Sequence, residues 1–192
     1  ALRVSPAEVV DPVRYGPNHW LGMKELVNRT GAYIAKRLGV ESAVVVACAS
    51  AGVAQGGAAV IGKDNAWLLD NLHAAPLTVP HDIVVPKGHN VNFGAPVGAM
   101  VALGGGRLVE AGYSNECSPE QLAAAIKPTT AALLYITSHH CVQKSHPTVE
   151  LAALLARPHI ILFHRDADAR VDPLLSQLTG AVLGIHSCTE PI

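Results

Sequence analysis

The chain has 192 residues and a formal net charge of −1, with 49% apolar and 15% charged residues. This length suffices for one domain with a sizeable core, and the low charge indicates that much of the chain is buried or paired with another subunit. No basic stripe favours nucleic-acid binding, and no apolar run reaches the ~18 residues of a membrane-spanning helix. The N-terminus lacks a signal-peptide layout and the four cysteines form no CxxC pair, which predicts a cytoplasmic protein without a zinc ribbon or disulfide framework.

Hydrophobic periodicity predicts helices and strands that alternate along the chain. A helix is predicted over residues 18–38, with Asn18 as its N-cap and Gly39 as its stop, and a surface loop over residues 65–81. Further helices are predicted at residues 50–61, 95–103, 148–156 and 173–178, and one more begins at Ser118-Pro119-Glu120-Gln121. Strands are predicted at residues 43–48, 82–85, 107–111, 131–137, 159–163 and 181–186.

The predicted strands are near-continuous apolar runs rather than alternating ones. Such runs are typical of parallel sheets in which helices cover both faces. The sequence therefore predicts an α/β fold with three layers, a mostly parallel sheet between helices on both faces.

Polar residues follow the predicted strands at their carboxyl ends, where ligands bind in folds of this class. After the first predicted strand the chain reads Ala49-Ser50-Ala51-Gly52 and enters a helix. Small residues at a helix N-terminus leave backbone N–H groups open to an anion, so this stretch predicts a phosphate site with Ser50 as a further donor. Tight packing of the helix against the sheet is the alternative reason for small residues here.

A metal site is a second alternative. His164, Asp166 and Asp168 alternate, so a strand would place them on one face, and His186 lies near Cys188 in the sequence. No recognised metal-binding spacing is completed, and we predict no metal.

Four segments read ACASAG, PKGHNVNFGAPV, LGGGRLVEAGYSNECSPEQL and ITSHHCVQKS. In this order and spacing they resemble the family of pyridoxal-phosphate-dependent (PLP-dependent) enzymes that includes selenocysteine synthase, roughly over residues 18–156. The resemblance implies an aspartate-aminotransferase-like fold, the PLP fold type I, with active sites at a dimer interface. It predicts an N-terminal segment at residues 1–17 and a PLP-binding large domain at residues 18–192, without the family's small C-terminal domain.

The resemblance also implies roles for individual residues. His89 would stack on the pyridine ring of the cofactor, and Asp166 would pair with the pyridine nitrogen and keep the ring an electron sink. The implied cofactor-binding residues are Ala49, Ser50, Ala51, Gly52, His89, Ser138, Asp166 and Ser187, and the implied catalytic residues are His139, Gln143 and Lys144.

The sequence departs from the family at the residue that forms the Schiff base. The family pattern is Ser-Gly-x-Lys, whereas this chain has Ser187-Cys188-Thr189-Glu190, with Glu190 at the lysine position. Three explanations stay open: a truncated or frame-shifted chain, a degenerate relative that binds the cofactor without turnover, or another lysine, Lys87 or Lys144, in this role.

The activity that the resemblance implies is that of a carbon–nitrogen lyase of amino sugar metabolism. Such an enzyme eliminates ammonia from an amino sugar acid phosphate and yields a 2-keto-3-deoxy acid phosphate. The implied partners are this small substrate and further copies of the chain in a homodimer or larger homo-oligomer. A non-catalytic relative and a selenocysteine synthase-like transferase are the alternatives, and the near-neutral charge disfavours the second because its substrate is a transfer RNA.

Overall fold

A computed structural model describes residues 22–74, 77–92, 94–138, 141, 144–148, 151–152, 160–165 and 182–186. The chain divides into two compact units, one of residues 1–46 with 168–176 and one of residues 47–167 with 177–192. Among the described helices, none combines the length and the apolar character that crossing a membrane requires.

The described part of the first unit holds helix α1, Met23–Leu38, which ends at Gly39 in the left-handed conformation as the sequence predicts. The strand predicted at residues 43–48 is wrong, because residues 42–46 have no regular secondary structure. The side chains of Val44 and Val45 are 61% and 60% exposed. β-branched residues favour strands where they pack on a pleated surface, and these two side chains have no such burial.

The second unit begins with helix α2, Ala49–Gly62, and a short helix α3, Ala66–Asp70. The sequence predicts a loop where α3 lies. Asn65 caps this helix, since its side-chain oxygen accepts a hydrogen bond from the backbone N–H of Leu68 at 3.0 Å. A single turn stabilised by such a cap is too short to show a hydrophobic period.

Five strands form the sheet of the second unit, in the spatial order β2-β1-β3-β4-β5, and each neighbouring pair is parallel. The strands are β1 Asp82–Pro86, β2 Arg107–Ala111, β3 Thr130–Thr137, β4 Ile160–Arg165 and β5 Val182–His186. All five lie within two residues of their predicted bounds, which confirms the α/β fold with a parallel sheet.

Two crossover helices connect the first three strands, namely α4, Val97–Leu103, and α5, Pro119–Ala125. The chain moves one way across the sheet from β1 to β2 and the opposite way from β2 to β3, so right-handed crossovers place α4 and α5 on opposite faces. Helix α5 begins at Ser118-Pro119 as the sequence predicts, and Ser118 caps it in a capping box with Gln121.

The core lies on both faces of the sheet because alternate strand residues point in opposite directions. Ile83, Val85, Leu134 and Ile136 pack in one cluster with residues of α2 and α4. Val84, Leu133 and Tyr135 alternate with them in sequence and are also buried. The helix predictions for residues 148–156 and 173–178 fall mostly or wholly outside the described residues.

Candidate functional site

His89 is positioned by the end of strand β1. The strand stops at Pro86, and the chain turns through one 3₁₀ turn, Lys87–His89. The backbone N–H of Ile136 in the neighbouring strand β3 donates to Nδ1 of His89 at 3.3 Å. The imidazole thus continues the hydrogen bonding of the sheet past the end of β1, and this assigns Nδ1 as the acceptor nitrogen of the ring.

Two aromatic rings contact His89, whose exposed fraction is 0%. The Tyr135 ring lies perpendicular to it, with centroids 4.6 Å apart and planes at 89°. His146 stacks on it, with centroids 5.1 Å apart and planes at 15°. A planar ligand therefore stacks on His89 only after side chains that cover this ring have moved.

A charged cluster lies beside this turn at the carboxyl end of β2. Asn90 donates to Oε1 of Glu110 at 2.7 Å, and Nζ of Lys87 lies 3.2 Å from Oε2 of the same carboxylate. The hydrogen bond from Asn90, and secondarily Lys87, holds the pKa of Glu110 below its usual value against the effect of burial. Glu110 is therefore an anion that engages the Lys87 ammonium.

The first turn of α2 fits the anion site that the sequence predicts. Cys48 precedes it in an extended conformation without a side-chain cap, and the first helical backbone bond runs from the Gly52 N–H to the Cys48 carbonyl. The N–H groups of Ala49, Ser50 and Ala51 therefore have no carbonyl within the helix to bond. A phosphate is a natural partner for such a turn.

Helix α2 packs against the end of α4. A Cβ added to Gly104, which precedes β2, would touch the backbone of Ala54 and Ala58 in the middle of α2.

Several of the predicted site residues lie outside the described part of the chain: His139, Gln143, Asp166 and Ser187. Ser138 is buried directly after β3, and its carbonyl accepts from the Cys141 N–H at 3.1 Å. Lys144 is exposed. The roles implied for all these residues, and for His89 and the turn at Ala49, stay predictions.

The sequence analysis missed Tyr135, His146 and Glu110. Each contacts a predicted site residue or its neighbour because a strand or loop brings it there. Glu110 stands in one of the four quoted segments, but its contacts with Lys87 and Asn90 join β2 to the turn after β1 and cannot be inferred from that segment alone. Among the residues that the structure describes, no group of three or more metal-ligating side chains is close enough to hold a metal ion. The metal alternative at His164 involves residues beyond that range and is untested.

Known proteins resemble this chain over most of its length, although no protein-family model matches it. D-glucosaminate-6-phosphate ammonia lyase of Salmonella typhimurium is 35% identical over 184 residues, which are 94% of this chain and 48% of the relative. A solved structure of D-glucosaminate-6-phosphate ammonia-lyase superposes with a TM-score of 0.83 at 34% identity, over 96% of this chain and 49% of the other. A 5'-C-glycyluridine monooxygenase-decarboxylase of Streptomyces is 38% identical over 69% of this chain and 34% of its own length. The chain thus spans at most about half the length of each relative.

Proposed function

We propose that this chain, a homologue of D-glucosaminate-6-phosphate ammonia lyase over 94% of its length, holds the cofactor in a PLP-dependent carbon–nitrogen lyase. The proposed reaction is the elimination of ammonia from D-glucosaminate 6-phosphate or a similar amino sugar acid phosphate, with a 2-keto-3-deoxy acid phosphate as product. The match to the ammonia lyase carries this proposal. The two curated relatives bear different reaction names, and we favour the lyase because its match covers more of the chain.

The residues present fit the cofactor at two points. The uncapped first turn of α2 supplies backbone N–H donors and the Ser50 hydroxyl to a phosphate group. The ladder bond from Ile136 holds the His89 ring in a defined plane and tautomer, so the ring can serve as a stacking partner once the side chains that cover its other face have moved. PLP, when bound, serves as the electron sink for the carbanion that forms at the carbon next to the carboxylate.

The lysine that would form the Schiff base has still to be assigned, because Glu190 stands at the position of the family's lysine. Lys87 is a poor candidate because its Nζ is engaged by the Glu110 carboxylate at 3.2 Å and would have to leave this partner to react. Lys144 is exposed and makes no ion pair with the described residues. We therefore propose Lys144 as the better candidate of the two.

Borohydride trapping tests the proposal. The purified chain is incubated with PLP, reduced, and analysed by intact mass and peptide mapping, in parallel with Lys144→Ala, Lys87→Ala and the exposed control Lys36→Ala. We expect one adduct that Lys144→Ala alone removes, and ammonia release from D-glucosaminate 6-phosphate. PLP binding without an adduct would instead favour the non-catalytic relative, and absence of binding would overturn the cofactor assignment. Turnover of a selenium donor on transfer RNA would favour the transferase.

A further inference from the structure

We propose that His146 is a positioning residue. Its ring stacks on one face of the His89 imidazole and keeps that imidazole in the orientation in which its other face stacks on the cofactor. The proposal deepens the proposed function and rests on it for the cofactor. The stacking of the two rings, at 5.1 Å and 15°, is the starting observation.

The segment of residues 144–148 is held firmly enough to make His146 a fixed support. The buried Tyr135 hydroxyl donates to the carbonyl of Pro147 at 2.7 Å. The backbone N–H of Cys117 donates to the carbonyl of Ser145 at 3.0 Å. Ser145 has a φ of 63°, a left-handed conformation that is strained for serine and persists only where surrounding contacts impose it.

His146 approaches from the face of the sheet opposite to α2. Ile136 and Leu134 pack in the cluster that contains α2, so Tyr135, which lies between them in β3, points to the other face. The Tyr135 hydroxyl bonds the residue next to His146. The predicted phosphate site at the start of α2 thus lies on one side, and His146 supports His89 from the other.

The ring nitrogens of His146 indicate a role for its flat face rather than for proton transfer. Nδ1 lies 3.0 Å from the Lys144 carbonyl, so Nδ1 carries the hydrogen and fixes the ring orientation. Nε2 is buried without a hydrogen-bond partner among the described residues. A Cβ on Gly88 would lie 2.9 Å from Nε2, so this close approach of the turn to the ring requires glycine at position 88.

Two readouts test the proposal, one of which needs no cofactor. Amide hydrogen exchange of Ile136 and the ¹⁵N shifts of the His89 ring report the bond between them. PLP titration followed by absorbance reports the dissociation constant. The variants are His146→Ala, which removes the ring, His146→Phe, which keeps it, His146→Gln, which keeps polarity alone, and the exposed control His73→Ala.

We expect His146→Ala and His146→Gln to weaken PLP binding by about three- to tenfold, the size of an aromatic pair, and to speed exchange at Ile136. His146→Phe and His73→Ala should stay within about twofold of the wild type, because the ring face is kept in one and untouched in the other. If His146 acted only through its hydrogen bond to the Lys144 carbonyl, His146→Phe would weaken PLP binding as much as His146→Ala does. If His146→Ala does not fold, the contrast between His146→Phe and His146→Gln makes the same comparison.

Unchanged Ile136 exchange and unchanged His89 shifts in His146→Ala, or in His146→Gln, would overturn the positioning role. Equal PLP affinity in the ring-deleted and wild-type proteins would overturn it as well. A wild type that binds no PLP contradicts the proposed function instead, and the exchange readout then still decides whether His146 holds His89.

Discussion

Asp82 shows how a single buried carboxylate can hold two strands and a loop together. Its exposed fraction is 3%, and the guanidinium of Arg107 in β2 donates two hydrogen bonds to it, of 2.6 and 2.8 Å. The hydroxyl of Thr129 donates to the same carboxylate at 2.6 Å. The hydrogen bond from Arg107, above all, holds the pKa of Asp82 below its usual value.

We expect Asp82→Asn to lower the free energy of unfolding at pH 7 by about 1–3 kcal/mol, because the Arg107 and Thr129 donors lose a charged acceptor. A lowered pKa in the folded state means that this contribution is present above the unfolded value of about 3.9 and is lost as the pH falls through the folded value. Urea denaturation at several pH values measures both effects.

The exposed Asp64→Asn is the matched control for this carboxylate, and it should change stability by less than about 0.5 kcal/mol at every pH. The wild type and Asp82→Asn should converge in stability as the pH falls below about 4. A difference between them that stays constant down to pH 2 would show that the charge of Asp82 does not stabilise the fold.

Residue-scale prediction from the sequence succeeded where a residue belongs to a continuous motif. His89 stands in one of the four quoted segments, and the structure places it at the carboxyl edge of the sheet. The sequence gives no sign that His146 and Tyr135 contact His89, since they lie 57 and 46 positions away from it along the chain. Only the folded loop brings them together.

The contact between α2 and α4 is the clearest example of close packing between elements. Gly104 ends α4 at a φ of −80°, which any residue can adopt, so steric room rather than backbone freedom requires glycine here. A Cβ at this position would collide with the Ala54 carbonyl oxygen and lie 3.1 Å from the Ala58 nitrogen. Both obstacles are backbone atoms of a helix and cannot rotate away.

Gly104→Ala should therefore lower the free energy of unfolding by about 1–3 kcal/mol, as overpacking does. Gly57→Ala is the matched control on the facing helix, because its Cβ would meet nothing closer than the Gly104 Cα at 3.9 Å. That variant should be neutral or raise stability by up to about 1 kcal/mol through helix propensity. Thermal denaturation of both measures the contrast, and equal effects would contradict this account of the contact.

Strand prediction at the element scale worked for all five strands of the sheet, including the edge strand at residues 107–111. Residues 82–85 and 131–137 were predicted almost to the residue, and their strands are buried between neighbours. Residues 43–48 have the same composition and form no strand. The composition of a segment shows only that it could form a strand. Whether it does so depends on a neighbouring strand with which it can form hydrogen bonds, and the local sequence does not contain that neighbour.

At the scale of the whole molecule, apolar surface is the feature that most needs a partner. Trp67, Leu103 and Tyr113 of the second unit are 71%, 74% and 66% exposed. Large side chains of this kind are common in interfaces and cost free energy in water. The homodimer or larger oligomer predicted from the sequence would bury such surface.

We expect the chain to self-associate as its concentration rises, which sedimentation velocity measures between micromolar and hundred-micromolar protein. The double variant Trp67→Gln/Leu103→Gln should weaken the association at least about tenfold, since it removes two large apolar contacts. Lys127→Gln, at an exposed polar position, is the control and should change little. A wild type that stays monomeric throughout this range would contradict the expectation.

The parallel sheet has a consequence for engineering. Asp82 stands at the first position of β1, and His89 follows its last, so the two are separated by roughly five strand residues of ~3.3 Å each. The groups that secure the amino edge are therefore remote from those gathered at the carboxyl edge. New ion pairs at the amino edge and new side chains at the carboxyl edge could therefore be introduced separately, and neither set of changes should disturb the other.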